Sequence, residues 1–92
     1  MKKVTLFHLE DCPYCHHARR ALKELVKENP AYGEIEVEWI EERRHPEIAA
    51  RYNYYYVPTL FHGEDKLYEA SPSESYSEIK ENIRTALDRV MG

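Results

Sequence analysis

The 92-residue sequence contains no apolar run long enough to span a membrane, so we expect no membrane partner. The apolar stretch after Lys2 and Lys3 stops at Glu10 and Asp11 without a small-residue cleavage site, which argues against a secretory signal. Internal repeats, low-complexity tracts and linkers are also lacking. We therefore expect one domain over residues 1–92 and a cytoplasmic location.

A basic surface is lacking as well, because the formal net charge is −4, and we expect no nucleic-acid partner. Cysteine is scarce: the only two, Cys12 and Cys15, lie three residues apart and cannot join distant parts of a fold. In a cytosolic protein such a close pair indicates catalysis or metal binding rather than a structural disulfide. The surrounding stretch, EDCPYCHHARRAL at residues 10–22, therefore carries the main functional signal.

Strand patterns and helix patterns follow one another along the chain. The predicted elements are a strand at 4–9, a helix at 13–28, a strand at 34–40, a short helix from 46, hairpin strands at 59–62 and 66–69, and a helix from 72. Proline suits the first position of all three helices, and Ser71 and Glu74 are predicted to form the capping box of the last one. The fold class is α/β in the order β-α-β-α-β-β-α, with a mixed four-stranded sheet flanked by helices.

Three chemistries fit the spacing of the two cysteines. Covalent haem would need a second axial ligand, and haem of this kind is usually attached in exported proteins. The only methionines that could serve as this ligand stand at positions 1 and 91. Zinc would need histidines beside the cysteines, from the set His8, His16, His17 and His62. The usual second ligand pair is lacking, and adjacent positions 16 and 17 on a helix point about 100° apart. The third chemistry is a redox dithiol.

The redox interpretation explains why the pair stands directly after a strand and at the start of a helix. At Cys12, unpaired N–H groups and the helix macrodipole favour the thiolate, which is the nucleophilic form. Cys15 lies one turn later on the same face, close enough to attack a mixed disulfide at Cys12. His16 and two arginines add positive charge nearby, and the negative charges of Glu10 and Asp11 oppose it. The sequence alone does not decide whether these charges together favour the Cys12 thiolate.

The motif C-P-Y-C at residues 12–15, together with Val57-Pro58 before the strand TLFH, resembles the glutaredoxins within the thioredoxin fold. The order of elements is similar over nearly the whole chain. The resemblance implies that Cys12 attacks and Cys15 resolves. It also implies that Pro58 is cis and faces the dithiol, and that the backbone of Val57 pairs with the bound thiol substrate.

Further residues are expected to support this site. Pro13, Tyr14 and His16 stand beside the two cysteines, and Tyr14 is expected at the surface because Cys12 must stay accessible. Tyrosines 54–56 would either line a peptide site or pack under the loop before Pro58.

The sequence also suggests roles for residues outside this site. Arg43 and Arg44 would either contact an anion or form a solvated charge run, and Trp39 is predicted to belong to the core.

Positions that meet glutathione in glutaredoxins differ here. Leu9 replaces a basic residue, Tyr56 replaces a threonine, and residues 68–71 replace a Gly-Gly pair. The N–H groups of Ser73 and Glu74 are the remaining candidates for binding a carboxylate.

We therefore predict a thiol–disulfide oxidoreductase that reduces protein or low-molecular-weight disulfides without a bound cofactor. Its electron donor would be glutathione, acting as co-substrate, or a flavoprotein reductase. The alternative is a metal- or iron–sulfur-binding carrier of the glutaredoxin type that performs no turnover.

Overall fold

The computed structural model describes residues 2–92 and has the predicted order of elements. A one-turn 3₁₀ helix at Pro30–Glu34 is the single addition within that range. The other elements are β1 (Lys2–His8), α1 (Pro13–Glu28), β2 (Ile35–Glu41), α2 (Pro46–Ala49), β3 (Thr59–His62), β4 (Asp65–Glu69) and α3 (Tyr76–Met91). No helix in residues 2–92 has the length and apolar character needed to cross a membrane.

The four strands form one mixed sheet in the order β2-β1-β3-β4, so β1 is central and β2 lies at an edge. β1 runs parallel to β2, as expected for strands joined through a helix, and antiparallel to β3, with Phe7 opposite Thr59. The β3–β4 hairpin turns at Gly63, whose φ of +62° suits glycine. The predicted α/β fold class is confirmed.

The sheet separates two apolar clusters. The larger cluster lies between the sheet and helices α1 and α3, which bury residues at helical spacing. Its main members are Val4, Leu6, Ala18, Leu22, Leu25, Leu60, Ile79, Ile83 and Leu87. The smaller cluster, on the opposite face, consists of Phe7, Ile40 and Phe61 with α2 and two following tyrosines packed against it.

The prediction that Trp39 belongs to the core is wrong, because 36% of the surface of this residue is exposed. It points to the same side of β2 as Ile35 and Val37, but β2 is the edge strand and no further strand covers it. Instead, the guanidinium of Arg19 lies 5.1 Å from the centre of the indole ring, and His8 meets the ring edge-on.

The last helix also begins later than predicted, at Tyr76 rather than at Pro72. Ser75 is its N-cap. The Ser75 hydroxyl accepts the N–H of Glu78 at 3.1 Å, and the Glu78 carboxylate accepts the N–H of Ser75 at 2.9 Å. This reciprocal pair is a capping box four residues beyond the predicted one.

The predicted box residues, Ser71 and Glu74, form a separate turn. The Glu74 carboxylate accepts the N–H of Ser71 at 2.9 Å, which resembles half of a capping box. Ser73 between them has a φ of +73°, however, and that conformation cannot continue into a right-handed helix. Tyr68 and Asn82 both donate hydrogen bonds to the Glu74 carboxylate and hold the turn in place.

We predict that Ser75→Ala lowers the free energy of unfolding by about 1 kcal/mol, because the N–H of Glu78 loses the hydroxyl oxygen that caps it. Ser71→Ala is the matched control and should change it by less than about 0.5 kcal/mol, because only backbone atoms of Ser71 are engaged. Urea denaturation followed by circular dichroism measures both values. A larger effect at Ser71 would show that the helix begins earlier.

Candidate active site

Cys12 and Val57 meet at one end of the sheet. Because β1 and β3 are antiparallel, the residues after β1 lie beside the residues before β3. The Sγ atom of Cys12 is 3.8 Å from the carbonyl oxygen of Val57. The Val57–Pro58 peptide bond is cis, in agreement with the glutaredoxin resemblance.

The start of α1 leaves the Cys12 sulfur without a capping role. Cys12 is the N-cap residue and Pro13 is the first helical residue, as predicted. The Cys12 carbonyl accepts the N–H groups of Cys15 and His16, both at 3.1 Å, but its side chain makes no capping hydrogen bond. No acidic residue stands in the first turn, so the helix dipole acts on the sulfur unopposed from within α1.

Cys15 is the inner thiol of the pair and is fully buried, whereas Cys12 is partly exposed. Burial is the main reason why the pKa of Cys15 rises to about 12, and its contact with the Cys12 thiol raises it further. A hydrogen bond from the backbone N–H of Leu9, at 3.5 Å from Sγ, acts in the opposite direction. Both cysteines are free, and Cys12 is the one that solvent reaches.

The acidic residues before Cys12 are paired with the arginines that follow β2. Arg43 lies 3.1 Å from the Asp11 carboxylate, and Arg44 lies 2.8 Å from that of Glu10. All four side chains are largely exposed, so solvent screens both pairs and their contribution to stability is small. Their effect is local, because they compensate the negative charge beside the thiol. Neither of the two interpretations of Arg43 and Arg44 included this pairing.

Glu41 anchors the loop before Cys12, although no motif in the sequence marks it as a functional residue. This carboxylate is buried and accepts the N–H groups of Glu10 at 3.3 Å and of Arg43 at 2.7 Å. The Arg43 guanidinium also binds it, at 3.1 Å. Burial opposes its ionisation, but these hydrogen bonds prevail and lower the pKa of Glu41 to about 2. Its only sequence signal was its alternation with Val37 and Trp39.

The N–H groups proposed for carboxylate binding already have partners. The Ser73 N–H donates to the hydroxyl of Tyr14 at 2.9 Å, and the Glu74 N–H donates to the carbonyl of Ser71 at 3.2 Å. Tyr14 is partly buried against the main core and lies beside the cysteines. A carboxylate bound at this turn would therefore have to displace the Tyr14 hydroxyl.

The three adjacent tyrosines have different surroundings. Tyr54 stacks on Phe7, with ring centres 4.9 Å apart, so the packing interpretation holds for it. Tyr55 and Tyr56 are 88% and 52% exposed and lie directly before Val57. Their N–H groups both donate to the Glu69 carboxylate, at 2.6 and 2.8 Å, which fixes the backbone while the rings face solvent.

The candidate zinc ligands do not converge. His16 is exposed and lies 3.3 Å from Arg19, whereas His17 is partly buried against Tyr76. His8 is buried on the sheet; burial, followed by the charge of Arg19, lowers its pKa. Within residues 2–92, no three His, Cys, Asp or Glu side chains form a group able to hold a metal ion.

Comparison with known proteins identifies the family. A family model described as "Glutathione S-transferase, N-terminal domain" matches residues 6–72. A thioredoxin from Methanocaldococcus jannaschii is 32% identical over 72 residues, which cover 78% of this chain and 82% of the relative. The chain belongs to the glutathione S-transferase N-terminal domain family, within the thioredoxin-fold superfamily.

Solved thioredoxin-fold structures agree in architecture. Thioredoxin 1 from Thermosipho africanus superposes with a TM-score of 0.60 at 21% identity, covering 98% of this chain and 99% of the other. A mutant thioredoxin from Halobacterium salinarum gives 0.57 at 18% identity, covering 92% and 74%. These identities support the thioredoxin fold alone. The sequence relatives point to thiol oxidoreductase chemistry in general, while the glutaredoxin assignment stays a prediction.

We predict that Glu41→Gln destabilises the thioredoxin fold in a pH-dependent manner. The pKa of Glu41 is about 2 in the folded state and ordinarily 4.5, so its contribution is complete above pH 4.5 and disappears as pH falls towards 2. The difference in unfolding free energy between wild type and variant should shrink across this window. Urea titrations at several pH values measure it. Glu47→Gln, at an exposed position, is the control, and an equal pH dependence there would contradict the assignment.

We also predict a large difference in alkylation between the two thiols. A pKa raised from 9.0 to about 12 lowers the thiolate fraction of Cys15 by roughly a thousandfold, and burial also blocks access. Iodoacetamide should modify native Cys15→Ser at Cys12 rapidly and native Cys12→Ser hardly at all, as followed by mass spectrometry. Both variants should react rapidly in concentrated urea. Rapid modification of native Cys12→Ser would show that Cys15 is accessible.

Proposed function

We propose that this chain is a glutaredoxin-like thiol–disulfide oxidoreductase with Cys12 as nucleophile and Cys15 as resolving cysteine. One observation carries the proposal. The partly exposed Cys12 sulfur stands at a helix start, 3.8 Å from the Val57 carbonyl, with the buried Cys15 thiol in contact behind it. An accessible nucleophile with an inaccessible second thiol is the arrangement that two-step disulfide exchange requires.

In the first step, the Cys12 thiolate attacks one sulfur of the substrate disulfide. The substrate S–S bond breaks, a mixed disulfide forms at Cys12, and the other substrate sulfur leaves as a thiolate that takes a proton from water. In the second step, Cys15 loses its proton to the departing substrate sulfur or to water, its thiolate attacks the Cys12 sulfur, and the bond between Cys12 and the substrate sulfur breaks. The Cys12–Cys15 disulfide forms, the second substrate thiol leaves, and two electrons have passed to the substrate.

The coupling between the thiols favours this order. Part of the raised pKa of Cys15, after the larger effect of burial, comes from its hydrogen bond and charge interaction with Cys12. That part disappears once Cys12 is bound to the substrate, so Cys15 deprotonates more readily in the mixed disulfide. Cys15 therefore stays protonated until it is needed for resolution.

The residues around the dithiol would position the substrate. The Val57 carbonyl accepts the Cys12 thiol in this structure. Once Cys12 has formed the mixed disulfide, this carbonyl would accept an N–H from the substrate backbone instead, with Pro58 beside it. Pro13 defines the helix start under Cys12, and Tyr14 and His16 border the pair. The substrates would be protein or low-molecular-weight disulfides, in the reducing cytoplasm and without a bound cofactor.

The electron donor is either glutathione or a flavoprotein reductase. A glutathione carboxylate would compete with Tyr14 for the N–H of Ser73, and the Glu74 carboxylate stands close by. Leu9, in place of a basic residue, offers only its backbone, which already binds Cys15. These contacts favour the flavoprotein as the more effective donor.

We predict that Cys12→Ser abolishes disulfide reduction, because the attacking sulfur is lost. The matched variant Cys15→Ser should keep the first step and accumulate a mixed disulfide, visible as an added mass equal to that of one substrate half. Turnover is measured as NADPH consumption with a protein disulfide or a small aromatic disulfide as substrate. Substantial turnover by Cys12→Ser would refute the mechanism.

The same assay distinguishes the donors when the oxidised protein is supplied with either glutathione and its reductase or NADPH and thioredoxin reductase. Faster reduction by the flavoprotein is the expected result. Equal or faster reduction by glutathione would show that the turn at Ser73 opens for a carboxylate.

A further inference from the structure

An apolar groove opens between α1 and the edge strand β2, and none of the residues assigned to the thiol site lines it. Its volume is about 590 Å³, which lies within the range of roughly 300–1,000 Å³ that is usual for small-molecule sites. Leu22 and Ile35 form part of its floor, and Val26, Val37 and Trp39 form its sides. The groove exists because β2 has a neighbouring strand on one side only.

The walls of this groove expose apolar surface. Val26 is 38% exposed and Trp39 is 36% exposed, although both are large apolar side chains. An occupant with an apolar body would remove this surface from water, which is favourable in proportion to the area covered.

Two cations without carboxylate partners also line the groove. Arg19 and Lys23 stand one turn apart on the same face of α1. Neither is in an ion pair within residues 2–92. The same holds for Lys27 on α1 and Arg89 on α3, whereas Arg20, Lys80 and Arg84 are paired. Arg19 and Lys23 differ from the other unpaired cations of these helices because both line the apolar groove, so two positive charges face an occupant of it.

We propose that the groove binds a free carboxylic acid with an unbranched apolar tail. The tail lies against Val26, Val37 and Trp39, and the carboxylate lies between Arg19 and Lys23. A second copy of this chain fits less well. If two β2 strands paired antiparallel about Val37, Glu36 of one would stand opposite Glu38 of the other, and like charges in that position destabilise a sheet.

Trp39 is the only tryptophan in the chain and lines the groove, so its fluorescence reports occupancy directly. Decanoate below its micelle-forming concentration is the probe, with 1-decanol and acetate as comparisons. We expect a saturable one-to-one change with decanoate, about tenfold weaker binding of 1-decanol because its head group is uncharged, and no binding of acetate. Binding of decanol as tight as that of decanoate, or no saturable change with monomeric decanoate, would overturn the proposal.

Charge-removing variants test the two cations. Arg19→Gln and Lys23→Gln should each weaken decanoate binding by about tenfold and leave decanol binding unchanged. Lys27→Gln, one turn further along α1 and outside the groove, is the matched control and should bind like wild type. Calorimetric titration gives the affinities independently of changes in Trp39 itself. Equal losses in all three variants would indicate a general charge effect and overturn the proposal.

This test does not depend on the proposed thiol chemistry. The variant Cys12→Ser should bind decanoate with wild-type affinity, since Cys12 does not line the groove. Loss of binding in that variant would count against the groove as the binding site, while its loss of turnover concerns the dithiol alone.

Discussion

The antiparallel pairing of β1 with β3 determines where the thiol site forms. β1 is the central strand and has hydrogen-bonded neighbours on both sides, so its end is fixed in space. With Phe7 opposite Thr59, the loop after β1 and the loop before β3 must lie side by side. Cys12 stands four residues beyond the end of one strand and Val57 two residues before the other. Their contact is therefore a consequence of strand register, and helix α1 only adds its N-terminal dipole to it.

The loop between β1 and α1 is held by its own backbone donors. The N–H of Leu9 binds the Cys15 sulfur, the N–H of Glu10 binds Glu41, and the N–H of Cys12 binds the carbonyl of Leu9. Pairing partly buried N–H groups in this way reduces their desolvation cost and leaves the loop little freedom. The anionic Glu41 is needed because a neutral side chain would hold this loop less firmly, and its charge is in turn compensated by Arg43. The position of the outer sulfur therefore depends on a carboxylate at the end of the neighbouring strand.

The fold, and the position of the two cysteines after a strand and at a helix start, could be predicted from the sequence because short stretches decide them. These stretches are a proline after the first cysteine, a strand before it and a glycine turn in the hairpin. Residues 71–74 and 75–78 show what a short sequence pattern cannot decide. Both match the pattern of a capping box, and the choice between them comes from contacts distant in sequence, such as the hydroxyl of Tyr14 on the backbone of Ser73. Alternation likewise places Trp39 and Glu41 on one face of β2, but it does not specify that β2 is an edge strand. Trp39 is therefore more exposed than is usual for a tryptophan, and Glu41 is more buried than is usual for a glutamate.

Arg19 connects the apolar groove to the dithiol. It lies over Trp39 in the groove, and its guanidinium is 3.3 Å from His16, the residue after Cys15. Burial dominates the raised pKa of Cys15, but the positive charge of Arg19 lowers it again. A carboxylate bound to Arg19 would cancel part of that charge and make Cys15 slightly harder to deprotonate, because the charge of Arg19 is a minor contribution to the pKa of Cys15. By thermodynamic linkage, ionisation of Cys15 would weaken binding of the carboxylate by the same factor. The two sites are distinct in their lining residues, and this single side chain gives them a physical means of influencing each other.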